Sequence, residues 1–351
     1  YLPLDGTPEA RRTDRDDLTG RTSRLGLEAG TPTRFGVLGI KLEGDFNNEP
    51  RLGNASQNGA NGNVFTQQST SSYGFRVRHL YGQLGGLLAG QTWSTFQDVD
   101  NFPETVDYNG PIGQTFIRQP QIRYTYAMPD WGSYTVALEN SSAYVLDDTG
   151  TVMGASSLSR LPDLVVRWDK SFERGAVSVR AMTQELRVDD GNGHTAATRG
   201  WGAAASALYK TREAGDFVTA GITGGDGIGR YLNYIEGAFY DAAANKVLAE
   251  RALGIYAGYQ LKATSWVRVN FAYGATRDFN NDYTAFAAAN GLNAGRFGVN
   301  RWVQQAHLGP IFTPMKGIDL GLEGIWAKRE TLAGEQGEDR RLNFSIKYYI
   351  N

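Results

Sequence analysis

The chain has 351 residues, with no Cys, 44 Gly, 18 Tyr, 16 Phe and 7 Trp, and its 35 Lys and Arg stand against 37 Asp and Glu for a formal charge of −2. That composition excludes disulfide staples and thiolate metal sites, and it lacks the basic surplus of a nucleic-acid binder. With a mean hydropathy of −0.40, the sequence contains no apolar run near the ~18 residues that a membrane helix requires.

In chain order, residues 1–20 come first, and the run Asp5 to Asp17 is charged and lacks alternation, which predicts a surface loop or N-terminal segment. From Arg24 onward, apolar residues recur at every second position in segments of about 8 to 13 residues, the strand period. This pattern predicts strands over 21–29, 33–46, 73–84, 86–96, 118–127, 133–142, 161–170, 175–187, 199–210, 216–223, 252–263, 265–277, 300–312, 318–329 and 340–350. The last shows the rule most cleanly, with Leu342, Phe344, Ile346, Tyr348 and Ile350 on one face and Arg341, Asn343, Ser345 and Lys347 on the other.

Connections alternate in length. Short ones carry turn residues at Gly30–Thr33, Leu84–Gly86, Pro129–Gly132, Phe172–Gly175, Glu213–Asp216, Lys262–Ser265 and Pro314–Gly317, while long polar stretches fill Asn47–Ser72, Gln97–Arg118, Gly224–Arg251 and Asp278–Asn300. Short turns on one rim and long loops on the other are the pattern of an outer-membrane barrel. A soluble sandwich also alternates. Here, however, the polar faces carry Arg and Lys in strand after strand, the strands exceed the usual soluble length, and Trp93, Trp131, Trp266 and Tyr348 lie near segment ends as interface girdles do.

The expected fold is therefore all-β: an antiparallel transmembrane β-barrel spanning 21–351 as one domain, in contact with outer-membrane lipid. Barrels of this kind use an even strand number, so about sixteen are expected in the native protein. Of these, about fifteen are readable, with the first expected upstream of Tyr1 or replaced by an open seam.

With the apolar face toward lipid, alternation puts Arg24, Arg76, Arg78, Arg123, Arg167, Arg180, Arg268, Arg341 and Lys347 on the pore side. Fixed cations in a narrow aqueous passage favour anions, and guanidinium recognises carboxylates in a bidentate manner. The plainer reading is that these groups solvate the lumen and pair with Glu28, Glu43, Asp45, Glu139, Glu185, Asp319 and Glu323.

At Arg78 to Phe96 the sequence reads RHLYGQLGGLLAGQTWSTF, a strand, a GG turn and a second strand. This segment resembles the DcaP-like outer-membrane porins. The opening YLPLDGTPEA, the TSRLGLE of Thr22 to Glu28 and the IRQPQIRYTY of Ile117 to Tyr126 are similar to the same family. The resemblance implies a homotrimeric, sixteen-stranded diffusion porin that passes small anionic solutes such as dicarboxylates and has an inward-folded constriction loop. The segment near 97–118 resembles that loop. Arg76, Arg78, Arg118 and Arg123 flank it, and the loop acids Asp98, Asp100, Glu104 and Asp107 are expected to form an opposing wall, giving a transverse field that orients the solute. Arg167, Arg180, Arg268 and Arg341 complete the expected pore lining.

Two other classes compete. Some outer-membrane barrels are hydrolases that use Ser, His and a carboxylate or amide partner, but this chain offers only His79, His194 and His307, with no nucleophile evident beside them. A plugged structural or adhesin barrel is the other, against which a barrel of about sixteen strands encloses a water-filled channel. No metal-ligand spacing is present, and no cofactor or nucleic-acid partner is expected. The glycines of GGDGIG at Gly224 to Gly229 lack the Lys-Ser/Thr and the helix of a phosphate loop and read as flexible loop. Ala242–Ala244 and Ala285–Ala289 read as short helices within loops.

Overall fold

The computed structural model describes residues 2–12, 17–48, 74–157, 159–189, 191, 193–212 and 215–350. Fifteen strands hydrogen-bond in chain order into one antiparallel sheet. They are β1 (Arg24–Thr33), β2 (Gly36–Asn48), β3 (Gly74–Leu84), β4 (Leu87–Trp93), β5 (Arg118–Met128), β6 (Gly132–Glu139), β8 (Asp163–Phe172), β9 (Gly175–Asp189), β10 (Thr195–Lys210), β11 (Phe217–Asp226), β14 (Arg251–Lys262), β15 (Val267–Asp278), β16 (Asn300–Met315), β17 (Ile318–Thr331) and β18 (Gln336–Tyr348). A second, three-stranded sheet joins β7 (Val145–Leu146), β12 (Ala238–Asp241) and β13 (Lys246–Ala249). The single α-helix among the described residues, α1, spans Asp282–Ala289. The long stretch expected over Asn47–Ser72 falls, beyond its first two residues, outside the described residues, as does part of the turn at Glu213–Asp216.

The chain divides into two compact units. The smaller comprises Asp14–Ser94 and Arg118–Tyr124, and the larger comprises Tyr1–Thr13, Thr95–Ile117 and Thr125–Asn351. In the smaller unit, the register runs from Arg24↔Asp45 to Thr33↔Gly36 between β1 and β2, so the first turn is Arg34–Phe35, not Gly30–Thr33. Gly36 takes the positive φ of +112° that this turn needs, and the Thr33 hydroxyl donates to the Gly36 carbonyl at 2.6 Å. Pro32 can sit within β1 because it uses the strand's unpaired side. The GG turn is as expected, with Leu84↔Leu87 closing a two-residue hairpin and Gly85 at φ +57°.

In the larger unit, residues 2–12 form no strand, yet they are tied down. The Asp5 N–H donates to the Gln336 carbonyl at 2.8 Å, and the Arg329 guanidinium donates to the Leu2 carbonyl at 3.1 Å. Side-chain burial is inverted relative to a soluble protein. On β18, Leu342, Phe344, Ile346 and Tyr348 are 74%, 65%, 67% and 69% exposed, while on β9 the buried face consists of Ser178, Arg180, Met182 and Gln184. An exposed apolar band of this extent is costly in water and fits a sheet whose outer solvent is hydrocarbon.

The long connections are more structured than their polarity suggests. Phe239 of β12 stacks on Tyr283 of α1 with centroids 4.5 Å apart. The helix begins at a capping box in which the Asn281 side chain accepts the Tyr283 and Thr284 N–H groups. Ala285–Ala289 is helical as read. Ala242–Ala244 is instead the tip of the β12–β13 hairpin, which closes at Asp241↔Lys246 and leaves no room for a helical turn. Three of the four glycines of 224–229 are required by packing rather than by flexibility. A Cβ on Gly225 would overlap the Trp201 carbonyl, one on Gly227 would overlap the Leu186 side chain, and one on Gly229 would run into the Glu236 backbone.

Alternation makes a direct prediction about the two faces of β18. Phe344→Lys places a charge on the apolar face at a cost of roughly 2–4 kcal/mol near a bilayer midplane, whereas Asn343→Lys adds one to the polar face. Folding into lipid vesicles, read by heat-modifiable gel mobility, is expected to fail or slow for the first and to persist for the second.

Candidate functional site

In the larger unit, the connection after β4, residues 95–117, lies against the polar face of the sheet. A loop in that position must find partners for its buried backbone and acidic groups, and arginines on the strands supply them. Glu104 accepts four hydrogen bonds: two from Arg268 at 2.7 and 2.8 Å, one from Gln260 at 3.0 Å and one from Asn270 at 3.1 Å. The same Arg268 reaches Asp319 at 2.8 Å. Asp98 is fully buried and lies 3.4 Å from Arg167, and it accepts a hydrogen bond from Ser206, which also receives one from Arg180 at 2.9 Å. Burial by itself would raise the Asp98 carboxyl, but Arg167, the Ser206 hydroxyl and Arg180 outweigh it and hold the group below the usual aspartate range. Arg167 also donates to the Gln97 carbonyl at 2.6 Å, and Arg180 donates to that of Phe96 at 3.4 Å.

Further along the loop, the donor and acceptor roles reverse. Glu323 of β17 accepts the N–H groups of Val106 and Asp107 at 2.8 and 3.0 Å, and His307 of β16 stands beside it at 3.2 Å. Gln305 accepts the Ile112 N–H at 3.3 Å, and Tyr256 donates to the Asn101 carbonyl at 2.9 Å.

Close approach of loop to wall depends on glycines in the polar-facing positions of the strands. A Cβ on Gly274 would collide with the Ile112 carbonyl, one on Gly258 with Pro103, and one on Gly254 would lie 2.5 Å from the Gly113 carbonyl oxygen. Gly321 receives Val106, whose Cγ2 would stand 2.7 Å from a Cβ there. At the loop's base, Phe96 meets Tyr231 edge-on at 5.7 Å. The Tyr231 hydroxyl donates to Asp163 at 2.6 Å, its carbonyl accepts the Phe116 N–H at 2.9 Å, and Thr115 bridges to Leu232. Phe96, Ile228, Tyr231 and Leu232 are all fully buried.

Of the four loop acids, then, Asp98 and Glu104 are engaged by Arg167, Ser206 and Arg268 and act as fasteners of the loop. Asp100 is exposed and only 4.0 Å from Arg167, and Asp107 is half-buried and accepts the Asn109 N–H at 2.9 Å. Sequence reasoning missed Gln305, Tyr231, Tyr256 and the glycines, and it named Glu323 only as a partner of pore-side cations, whereas Glu323 accepts loop N–H groups. The one available signal was the recurrence of glycine on the polar side of β14, at Gly254 and Gly258.

The smaller unit holds the other arginines. Arg76 grips Asp45 with two hydrogen bonds at 2.9 and 2.7 Å. Arg78 is buried and reaches Glu43 at 2.7 Å and Asp45 at 2.9 Å. The Arg118 guanidinium lies over the Trp93 ring, 3.4 Å from its centroid. Arg24 is the cross-strand partner of Asp45, so four guanidinium groups, those of Arg24, Arg76, Arg78 and Arg118, gather near the carboxylates of Glu43 and Asp45. Arg123 is half-buried on β5, opposite Leu88. Back in the larger unit, Arg341 of β18 is half-exposed and pairs with Asp339 at 2.8 Å. His79 contacts Thr92 at 2.9 Å, and His194 is exposed. Among the described residues there is no group of three or more His, Cys, Asp or Glu arranged to hold a metal.

The family model of the DcaP outer membrane protein matches residues 2–350. The chain belongs to the DcaP outer membrane protein family. The outer membrane channel DcaP of Acinetobacter baumannii is similar over 94% of this chain and 85% of its own, with 27% identity and a TM-score of 0.77. At fold level, the chain is similar to OmpF of Salmonella typhi, with 12% identity, coverage of 96% and 93% and a TM-score of 0.58. It is also similar to an anion-selective porin from Comamonas acidovorans, with 14% identity, coverage of 93% and 91% and a TM-score of 0.51. No curated protein matches. This member of the DcaP family is thus an outer-membrane protein of the antiparallel β-barrel class, in a family of channels, and loop 95–117 is built onto its polar face.

Two measurements test the fastening. Arg268→Ala removes two charge-assisted hydrogen bonds to Glu104, each of the kind that contributes roughly 1.5–3 kcal/mol. Protease cleavage within 95–117 is expected to accelerate at least several-fold in this variant while the strands stay intact. Because the folded Asp98 sits below its unfolded range, its contribution is present above the ordinary aspartate pKa and is lost as pH falls through the lower folded value. Amide exchange of residues 98–101 is therefore expected to rise on acidification below about pH 4, and Asp98→Asn is expected to flatten that rise.

Proposed function

We propose that this family member is a diffusion porin that prefers small anions, dicarboxylates among them, and that it works as a homotrimer with arginines lining its lumen. The observation that carries the reading is the excess of guanidinium over carboxylate on the polar face of the smaller unit, where Arg24, Arg76, Arg78 and Arg118 gather near Glu43 and Asp45. In an aqueous passage, fixed positive charge raises the local anion concentration and repels cations. Arg76 and Arg78 are held by those carboxylates, so their guanidinium planes are pre-oriented and a passing carboxylate meets them at little entropic cost. Arg123 and Arg341 extend the candidate lining. Arg167, Arg180 and Arg268 act mainly by setting the loop, with the exposed Asp100 and half-buried Asp107 left as candidate acidic groups at its surface. The comparison that supports anion preference is the similarity of fold to an anion-selective porin.

The reading makes no use of catalysis. His307 is buried beneath Gly110, where a Cβ would overlap its ring, and its nearest acidic partner, Glu323, is committed to two loop N–H groups.

Planar-bilayer recording of the purified protein tests the proposal. Channels are expected to open in steps of three, with a reversal potential on the anion-selective side in a salt gradient and block by an added dicarboxylate. One unit charge about 10 Å away in water contributes ~0.4 kcal/mol, with opposite sign for an anion and a cation, so Arg78→Ala or Arg123→Ala is expected to lower the anion-to-cation permeability ratio roughly four-fold. Cation selectivity would refute the reading, and silent membranes from correctly folded protein would point to a plugged barrel.

A further inference from the structure

The exposed apolar face of the larger unit is interrupted by a groove of about 570 Å³, within the ~300–1,000 Å³ typical of small-molecule sites. Its floor is made of small residues, Ala203 and Ala205 on β10 and Gly224 on β11, and its walls are Trp201, Ile222 and Leu253. Register explains the shape. Ala203, Gly224 and Leu253 form one cross-strand row, and Ala205 and Ile222 lie in the next. Two small residues therefore sit side by side, with larger ones flanking them.

The groove ends in a charged rim at the side of the sheet that carries the long connections. Trp201, Asp226 and Arg251 occupy one row, and Phe279 is fastened beside Arg251 by a backbone hydrogen bond of 2.9 Å. Arg251 spends Nε and Nη2 on Asp226, at 2.8 and 3.1 Å, and its Nη1 has no hydrogen-bond partner among the described residues. One row in, the exposed Arg277 carries its guanidinium carbon 5.1 Å from the Phe279 ring centroid and 4.9 Å from that of Trp302. Arg199 stands exposed two positions beyond Trp201, with Glu185 as its cross-strand partner. The rim thus carries three guanidinium groups against the carboxylates of Asp226 and Glu185.

An apolar slot that opens onto guanidinium groups and aromatic rings, on the face of an outer-membrane protein that meets hydrocarbon, is complementary to an amphiphile with an anionic head. We propose that this groove binds one acyl chain of a phosphate-bearing lipid, with the phosphate held by Arg251 and Arg277. The planar fork of guanidinium matches phosphate oxygens, Trp201 and Phe279 sit where aromatic side chains favour the membrane interface, and the Ala and Gly floor admits a chain that ordinary Leu or Val packing would exclude.

Native mass spectrometry of the full chain in detergent, titrated with bisphosphorylated lipid A, its dephosphorylated form and phosphatidylcholine, tests the site. One lipid A per chain is expected, with about ten-fold weaker retention in Arg251→Gln/Arg277→Gln and for the dephosphorylated lipid, as loss of a charge-assisted hydrogen bond implies. Ala203→Phe, which fills the slot, is expected to weaken retention similarly while heat-modifiable mobility and oligomeric mass stay unchanged. Should that variant not fold, Ala205→Leu takes its place. The proposal is overturned if neither change alters retention, if phosphatidylcholine binds as tightly, or if filling the slot lowers the oligomeric mass, which would assign the groove to a subunit contact.

Discussion

A β-strand sends alternate side chains to opposite faces, and in this chain the apolar set goes to the exposed face. Whatever lies on the other face cannot be held by burying hydrocarbon and must be held by polar partners. The structure follows from that constraint. Loop 95–117 could not stay on a polar wall by apolar contact alone, so it is fixed by carboxylate–guanidinium contacts at Asp98 and Glu104, by carboxylate–amide contacts at Glu323, and by one compact apolar cluster at its base around Phe96 and Tyr231.

Arginine consequently has two roles in the same sheet. Arg268, with hydrogen bonds to Glu104, Asp319 and Thr313, is close to saturated and serves as a fastener. Arg118 is cushioned on Trp93, with its guanidinium 3.4 Å from the ring centroid. Residue type is the same in the two cases. For Arg268 the partner is a loop carboxylate, brought to it by a segment distant in sequence.

This explains how far the sequence could be read. Strand positions were legible because period 2 is a local property. β9, β10 and β14–β18 lie within a few residues of where alternation put them, and the short turns at Gly85, Asp130 and Gly317 were marked by residues that tolerate positive φ. The first turn was misplaced because Gly30 and Pro32 are ordinary turn residues that an edge strand also accepts. The loop interiors were opaque. Nothing local marks Val145–Leu146 as the partner of Ala238–Asp241, and GGDGIG read as slack when Gly225, Gly227 and Gly229 are close-packed. For the site, residue type and strand parity made the arginines and loop acids legible as candidates, while the pairing of Glu104 with Arg268, 164 positions away, is a tertiary fact with no local trace.

The contacts at Gly254 and Gly274 are made by loop carbonyl groups, which every residue possesses, against positions where only hydrogen fits. The two sides of this joint are therefore constrained together. Ile112 presents its carbonyl oxygen through the backbone alone, but Gly113 sits at φ +86°, and a Cβ there would overlap the Ile255 carbonyl oxygen. A single added methyl group on the wall at Gly254 or on the loop at Gly113 lifts the loop away, so seat and loop fit as two halves of one mould.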